Sequence, residues 1–283
     1  MHPTFIELFG TRITTYGFMV ALAFTLFWLL SMRRAKRLGY SEDFIQNLIA
    51  IIVISAFVCA RLLHVVTQWD YYSQHPSEII FSREGYAFLG GFIGAVTLSV
   101  LYTMRKGYNI FGVADIFAPY LALAHGIGRI GCLLFGCCFG GVCNLPWAIQ
   151  FPRDSPAYYQ HYHDGLIGND QILSLPVHPT QIYESLFSFA HFGILLLIRK
   201  HQTFRGQLAM SYLMIYSAGR FIIEFFRGDD RGTLDGIFST SQTLGILLFV
   251  VGFVGYFWLQ KIHHAPDAVQ MGSPSSGETV KNN

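Results

Sequence analysis

The sequence predicts an all-α polytopic membrane protein with about seven transmembrane helices. Apolar residues make up 52% of the chain and charged residues only 13%, whereas soluble domains carry about 25% charged residues. Seven stretches are apolar over about 20 residues, the length that crosses a bilayer as a helix. Their apolar residues do not alternate as they would in strands.

Sustained apolarity places the spans in order along the chain. They cover residues 14–32, 44–66, 86–104, 113–135, 181–198, 206–226 and 238–259. Ten basic residues beside the spans fall on one side: Arg33, Arg34, Lys36, Arg37, Arg105, Lys106, Arg199, Lys200, Arg205 and Lys261. By the positive-inside rule this side is the cytoplasm, so the N-terminus lies outside and the C-terminus inside.

The connections predict one seven-helix domain over residues 1–265. The loop at about 137–180, between the fourth and fifth spans, is long enough to form a small folded head. It lies outside, as do the loop near 67–85 and the turn at Arg227–Asp235. Residues 266–283 are polar and rich in Ser, Gly and Asn, which is typical of a disordered tail.

Charged residues inside the spans favour an anionic ligand. Arg61, Arg129, Arg220 and Glu224 lie in the second, fourth and sixth spans, where an arginine costs roughly 2.5–3.5 kcal/mol on insertion scales. Arg220 and Glu224 are one helical turn apart, so they can simply neutralise each other. Three arginines against one carboxylate still leave two positive charges. The planar fork of Arg129 fits a phosphate or carboxylate, and a lipid headgroup is the nearest abundant phosphate.

Other polar residues lie at the same level, each with a structural alternative. Tyr16 and Tyr216 can donate hydrogen bonds in a site, although an interfacial tyrosine is also a common membrane anchor. His178 opens the run HPTQIYE at 178–184 and is either a site residue or a helix cap. His125, near Arg129, is interpreted as a packed helix residue.

Glycines predict two kinds of close approach. Gly90, Gly91 and Gly94 favour tight packing of the third span against another helix. The glycines from Gly128 to Gly141 are compatible with packing or with a backbone bend that lines a polar cavity.

Four cysteines lie close together in sequence: Cys132, Cys137, Cys138 and Cys143. Such a cluster suits zinc or another soft metal, or a disulfide if it faces an oxidising compartment. Their spacing matches no familiar zinc motif, and adjacent Cys137 and Cys138 are not expected to serve one site. The sequence therefore predicts no metal, and it contains no soluble cofactor motif. Buried packing is expected for Cys59 and Cys132.

The order of motifs resembles the prolipoprotein diacylglyceryl transferase family over nearly the whole chain. Four runs carry the resemblance: GRIG at 128–131, FGCCFG at 135–140, HPTQIYE at 178–184 and RFIIEFFR at 220–227. The pair Tyr16-Gly17 and the run LGGFIG at 89–94 support it. The resemblance implies a seven-helix enzyme of the bacterial cytoplasmic (inner) membrane, without nucleic-acid partners. It implies transfer of the diacylglyceryl group of phosphatidylglycerol to the lipobox cysteine thiol in the signal peptide of a preprolipoprotein. This first step of lipoprotein maturation forms a thioether and releases glycerol 1-phosphate.

The same resemblance implies roles for individual residues. Arg129 matches a phosphatidylglycerol-binding arginine and Arg220 a second essential arginine, while Glu224, Tyr216 and Tyr16 occupy matching positions. We expect phosphate binding by Arg129, leaving-group stabilisation by Arg220 and orientation of Arg220 by Glu224. Arg61, Gly128 and Gly140 are expected to help bind substrate.

This chain departs from the family pattern at three positions. Leu89 stands where a histidine, a candidate base, is frequent, and Cys132 and Cys137 replace Asn and Glu of one common form. His178 therefore becomes the predicted proton acceptor, since imidazole titrates in the useful range. Alternatively, the arginine-rich surroundings lower the pKa of the acceptor thiol unaided.

An anionic-lipid transporter or flippase without bond chemistry is the main alternative. It would share the basic pocket, but transporters often show a pseudo-repeat between halves, which this sequence lacks. An intramembrane protease is not supported, because the spans hold no Ser/His or paired Asp arrangement.

Overall fold

A computed structural model describes residues 4–8, 11–82, 85–228 and 238–262. Within these ranges the chain forms a short antiparallel hairpin and ten helices, with no further strand. The hairpin pairs β1 (Thr4–Leu8) with β2 (Thr11–Thr14) and was not predicted from the sequence. The predicted tail at 266–283 and most of the predicted turn at Arg227–Asp235 lie outside the described residues.

Seven of the helices are long, and each corresponds to a predicted span. They are α1 (Thr15–Arg37), α2 (Glu42–Thr67), α5 (Phe88–Arg105), α6 (Ile110–Phe135), α8 (Thr180–Lys200), α9 (Gln207–Glu224) and α10 (Thr240–Ile262). Short helices occur between them: α3 (Trp69–Tyr72), α4 (Glu78–Phe81) and α7 (Pro156–His163). The all-α polytopic class is therefore confirmed.

Six of the seven long helices are long and apolar enough to cross a membrane. The exception is α9, which carries Arg220 and Glu224 along with buried Gln207, Ser211 and Ser217. The long helix that contributes Arg220 and Glu224 to the charged site is thus the one not apolar enough to count as a spanning helix. The predicted first span ended at residue 32, whereas α1 continues to Arg37, because basic side chains in a last turn interact favourably with the helix dipole.

The described chain divides into two compact units, of which one runs from Met32 to Val113. Here α5 packs against α2 through glycines. A Cβ on Gly90 would lie 2.5 Å from the carbonyl oxygen of Cys59, and one on Gly91 would lie 2.7 Å from that of Ala56. Real Cβ atoms do not approach so closely, so the predicted role of these glycines in tight helix packing is confirmed.

The other unit joins the chain up to Ser31 with the chain from Ala114 onward. Between α6 and α8 it contains the predicted small head, which packs around Phe139, Phe151, Ala157 and Val177. Isolated bridges between Val142, Ile149 and Val177 hold this segment together. The head has a core of its own and is anchored at both ends to long helices.

A buried carboxylate links α6 to the start of α9. The Asp115 side chain is 6% exposed, and its Oδ2 accepts hydrogen bonds from the Gly206 amide and from Gln202 Nε2, both at 2.6 Å. Its Oδ1 accepts from the Ala209 amide at 2.8 Å. Amides in the first turn of a helix have no hydrogen-bond acceptor within that helix. Asp115, on α6, supplies an acceptor for the first amides of α9.

Replacing Asp115 by Ala should lower the unfolding temperature of the protein in detergent. Each buried donor left without a partner costs about 1–3 kcal/mol. The substitution removes the acceptor of the Gly206 and Ala209 amides and one of the two acceptors of Gln202 Nε2. Asp70→Ala is the control, because Asp70 is exposed on α3, and it should change little. Equal unfolding temperatures for the two variants would contradict the capping role.

Candidate functional site

Glu184, on the first turns of α8, lies at the centre of a charged cluster. Its side chain is 3% exposed, and it forms an ion pair with Arg129 Nε. Its Oε1 accepts a hydrogen bond from Arg227 Nη1 at 3.2 Å and lies 3.8 Å from Arg220 Nη1. One buried carboxylate is therefore shared among three guanidinium groups from three segments of the chain.

A second carboxylate, Glu224, holds Arg220 from the other side. Arg220 Nη2 lies 2.5 Å from Glu224 Oε2, so the pairing expected from their spacing on α9 is present. Ser239, just before α10, donates a hydrogen bond to Glu224 Oε1 at 2.8 Å. Arg220 Nη2 also lies 3.5 Å from Ser241 Oγ. The orientation of Arg220 is thus fixed by both α9 and α10.

The charge balance predicted from the sequence was wrong. Glu184 and Asp115 both lie within predicted spans, so Glu224 is not the only carboxylate there. In the described cluster, Arg129, Arg220 and Arg227 face both Glu184 and Glu224, so the count of three arginines against one carboxylate does not hold. The signal for Glu184 was available, since it is the fourth residue of the predicted span 181–198.

His125 completes the fixation of Arg129. Arg129 Nε donates to His125 Nε2 at 3.1 Å, and His125 Nδ1 lies 3.4 Å from Ser188 Oγ. Because Nε2 accepts a hydrogen bond, a neutral His125 carries its proton on Nδ1 and donates it toward Ser188. Tyr216 packs against the His125 ring with centroids 5.6 Å apart. His125, interpreted from the sequence as a packing residue, therefore orients Arg129.

Donor groups in the cluster remain available for a ligand. Arg129 is 16% exposed and bonds its protein partners only through Nε, so its two Nη groups make no hydrogen bond to any residue in the described ranges. Arg220 Nη1 is buried and likewise has no hydrogen-bond partner there. Such donors suit the oxygens of an anion.

Tyr16 and Gly128 border the same region. Tyr16 packs on Phe135 with ring centroids 6.1 Å apart, and its hydroxyl lies within electrostatic range of Arg129. A Cβ on Gly128 would meet nothing within 4 Å, so the space beside this glycine is open. Both positions are compatible with the predicted site.

Gly140 has a clear structural reason to be glycine. Its amide donates to the His178 carbonyl oxygen at 2.9 Å, and it forms an isolated bridge with Arg227. A Cβ here would collide with the Phe226 carbonyl oxygen and with His178. The close approach joins the head to the end of α9, while substrate contact by Gly140 stays a prediction.

His178 lies in a polar corner of an apolar cavity. Tyr183 OH accepts a hydrogen bond from Trp147 Nε1 at 2.7 Å and lies 3.4 Å from His178 Nδ1. The cavity has a volume of about 710 Å³ and is otherwise lined by apolar groups, including Phe187, Ile222 and Phe226. Tyr183, Gly219 and Ile223 also line it, and their neighbours in sequence, Glu184, Arg220 and Glu224, belong to the charged cluster.

Arg61 belongs to the unit that runs from Met32 to Val113, where it contacts backbone carbonyls and aromatic rings. Its guanidinium donates to the carbonyl oxygens of Glu78, Ile79 and Gly85 at 2.6–3.0 Å and lies over the Tyr72 ring at 5.1 Å. These contacts fix the connection that follows α3. Substrate binding by Arg61 stays a prediction.

The cysteines differ from the sequence expectation. The Sγ atoms of Cys132, Cys137 and Cys138 all lie within 4.8 Å of one another, although adjacent Cys137 and Cys138 were not expected to share a site. The close approach was not predicted, and it occurs where Cys138 adopts a left-handed conformation, with φ of 59°. Thiol hydrogen bonds from Cys132 and Cys137, together with Arg129 and Arg227, hold the pKa of Cys138 well below its usual range. All three are free thiols, as is Cys143.

Comparison with known proteins gives one consistent result. A family model described as prolipoprotein diacylglyceryl transferase matches residues 3–258. The phosphatidylglycerol–prolipoprotein diacylglyceryl transferase 2 of Clostridium perfringens is 37% identical over 251 residues, covering 88% of this chain and 92% of the relative. Transferases of the same name from Clostridium tetani and Clostridioides difficile are 33% and 34% identical, each over at least 89% of this chain and 94% of the relative.

Glu184→Gln should strongly destabilise the protein. Glutamine keeps the size of the side chain but leaves three guanidinium groups against one carboxylate, and breaking a buried ion pair costs roughly 3–5 kcal/mol. Unfolding temperatures in detergent measure the loss. The control is Glu42→Gln, which breaks the ion pair between Glu42 and Lys36. Both side chains are about half exposed, and exposed ion pairs contribute little to stability. A Glu184→Gln protein as stable as the control would show that Glu184 does not hold the cluster together.

Proposed function

This chain belongs to the prolipoprotein diacylglyceryl transferase family, and on that premise we propose how its residues share the work of the transfer. It moves a diacylglyceryl group from phosphatidylglycerol to a prolipoprotein, the first step of lipoprotein maturation. The lipid carrier without bond chemistry is not favoured, because the relatives are named as transferases.

The proposal depends most on the free Nη groups of Arg129. Two parallel N–H donors match two phosphate oxygens, and such bidentate pairs are the strongest hydrogen bonds that arginine makes. Glu184 and His125 hold the guanidinium by its Nε, so the outer edge of the fork is presented to the ligand. The phosphodiester of phosphatidylglycerol carries one negative charge, which suits these cationic donors.

Arg220 stabilises the leaving group. The acceptor sulfur attacks the glyceryl carbon of the lipid, the carbon–oxygen bond breaks, and its electron pair leaves with the phosphate oxygen as glycerol 1-phosphate. Negative charge grows on that phosphate, and fixed cations in a water-poor site stabilise it without reorganisation. The buried Nη1 of Arg220, which has no hydrogen-bond partner among the described residues, is the donor that suits this oxygen. Glu224 orients Arg220 through an ion pair with the other terminal nitrogen of the guanidinium, Nη2.

Tyrosines and the apolar cavity complete the site. Tyr216 supports His125, and the Tyr16 hydroxyl lies near Arg129 as an additional donor to the lipid headgroup. The cavity beside α8 and α9 accepts an acyl chain of the lipid, since its lining is almost wholly apolar. Gly128 leaves room for the headgroup next to Arg129.

The acceptor is the thiol of a lipobox cysteine in a signal peptide. It must react as the thiolate, and a free cysteine with a pKa near 8.5 is mostly protonated at neutral pH. His178 acts as the base that takes the thiol proton. In this role its Nδ1 donates a hydrogen bond to Tyr183 OH, and its Nε2 carries the free lone pair. The Tyr183 oxygen has two lone pairs, one for Trp147 and one for His178.

We place the protein in the bacterial inner membrane with its N-terminus outside and its C-terminus in the cytoplasm. Six apolar helices support the membrane setting, and the basic residues on one side support the orientation. The site then opens to the outer leaflet, where the acceptor emerges.

Arg129→Lys should lower the turnover of phosphatidylglycerol roughly 10- to 150-fold. Lysine keeps the charge but loses the fork, and one hydrogen bond to a charged group is worth about 1.5–3 kcal/mol. The readout is the mass gain of one diacylglyceryl group on a lipobox peptide mixed with the purified enzyme and phosphatidylglycerol. Arg153→Lys, in the exposed part of the head, is the matched control. Full activity of the Arg129→Lys enzyme would remove Arg129 from phosphate binding.

His178→Gln should lower the turnover of phosphatidylglycerol, because glutamine preserves polarity but cannot take the proton of the acceptor thiol. The same mass assay measures the loss. Tyr183→Phe removes only the hydrogen-bond partner of Nδ1 and should lower turnover less than His178→Gln does. If both variants keep the wild-type turnover, another group takes the proton.

A further inference from the structure

Three thiols converge where α6 meets the head. Cys132 lies in the last turns of α6, and the chain then reverses through Gly136 and Cys138, both with positive φ. A non-glycine residue in the left-handed region is uncommon and costs energy, and such residues concentrate at functional sites.

Buried side chains from α8 hold this reversal in place. Gln181 Nε2 donates to the Cys137 carbonyl oxygen at 2.8 Å, and Thr180 Oγ1 donates to that of Cys138 at 2.9 Å. Both donors are at most 1% exposed. The three sulfur atoms are therefore fixed by a rigid framework and do not meet by chance in a mobile loop.

The spacing of the sulfurs fits one soft metal ion. Zinc binds thiolate at about 2.3 Å with tetrahedral geometry, which separates bound sulfurs by roughly 3.8 Å. The three Sγ atoms lie within 4.8 Å of one another, so small side-chain rotations suffice. Arg129 and Arg227 lie within electrostatic range of Cys138 and offset the charge of the thiolates.

We propose that Cys132, Cys137 and Cys138 bind one thiophilic divalent cation, zinc in the first instance, whose fourth position receives the acceptor thiol. This inference rests on the proposed function, because it assigns the means by which the acceptor is activated. Three protein ligands with one open position are the arrangement of catalytic zinc sites.

The chemistry requires no redox partner. A thiol that coordinates zinc loses its proton, which passes to water or to a nearby base. The bound sulfur forms its bond to the glyceryl carbon while the carbon–oxygen bond breaks toward the phosphate held by Arg129. The product thioether is neutral, binds zinc more weakly than a thiolate, and leaves.

Metal content gives the first test, independent of activity. The full-length protein, purified in detergent under reducing conditions, should retain one zinc ion per chain. Elemental mass spectrometry measures this ratio. After removal by a chelator, titration with Co²⁺ should give the absorption bands of tetrahedral thiolate coordination. This titration uses the unmodified protein, so it does not depend on whether a variant folds.

Matched variants locate the site. Residues that only support metal ligands change metal affinity by about 10- to 100-fold when they are replaced. Cys132→Ser and Cys138→Ser remove ligands themselves, so each should weaken zinc binding by more than this. Cys143→Ser is the control, since Cys143 is near in sequence but outside the group of three sulfurs, and it should bind zinc like the wild type. Size-exclusion profiles establish that each variant is folded.

Activity then tests the role of the metal. Chelated enzyme should form the diacylglyceryl adduct at least about tenfold more slowly, and zinc should restore the rate. The inference is overturned if the chain binds neither zinc nor Co²⁺, if the mass of the unreduced protein shows a disulfide among the three cysteines, or if metal-free enzyme keeps full activity. No adduct with or without metal would instead contradict the transferase function itself.

Discussion

The site depends on the sharing of one buried carboxylate among three guanidinium groups. Glu184 touches Arg129, Arg220 and Arg227, and none of these charges would be tolerated alone at membrane depth. Glu224 holds Arg220 from the other side. The terminal nitrogens of Arg129 make no hydrogen bond within the described ranges, and we propose that these donors make the cluster a receptor for an anionic lipid.

The fold places these groups by connecting distant segments at one level. Arg129 comes from α6, Glu184 from α8, Arg220 and Glu224 from α9, and Ser239 from the start of α10. The head is tied to the same place, since Gly140 and Gly141 bond the backbone at His178 and Phe226. A change in packing anywhere along these helices therefore reaches the guanidinium groups directly.

The sequence predicted the parts of this arrangement that depend on local spacing. The seven helices, the glycine contacts of α5 and the Arg220–Glu224 pair follow from periodicity and from one-turn separations. The sharing of Glu184 could not be predicted in the same way, because its partners lie 36 to 55 positions away in sequence and meet only through tertiary packing. Glu184 and Asp115 were nevertheless visible as carboxylates inside predicted spans. The convergence of the thiols could not be foreseen, because it requires the left-handed backbone at Cys138, which cysteine rarely adopts.

The most direct measurement is an experimental structure of the protein with phosphatidylglycerol in a lipid bilayer mimic. The account predicts that two phosphate oxygens lie about 2.7–2.9 Å from the Nη atoms of Arg129, with Arg129 Nε still on Glu184 and the ester oxygen of the glyceryl carbon toward Arg220. The account would be contradicted by a lipid phosphate bound away from Arg129, with the guanidinium of Arg129 facing acyl chains or the cytoplasm.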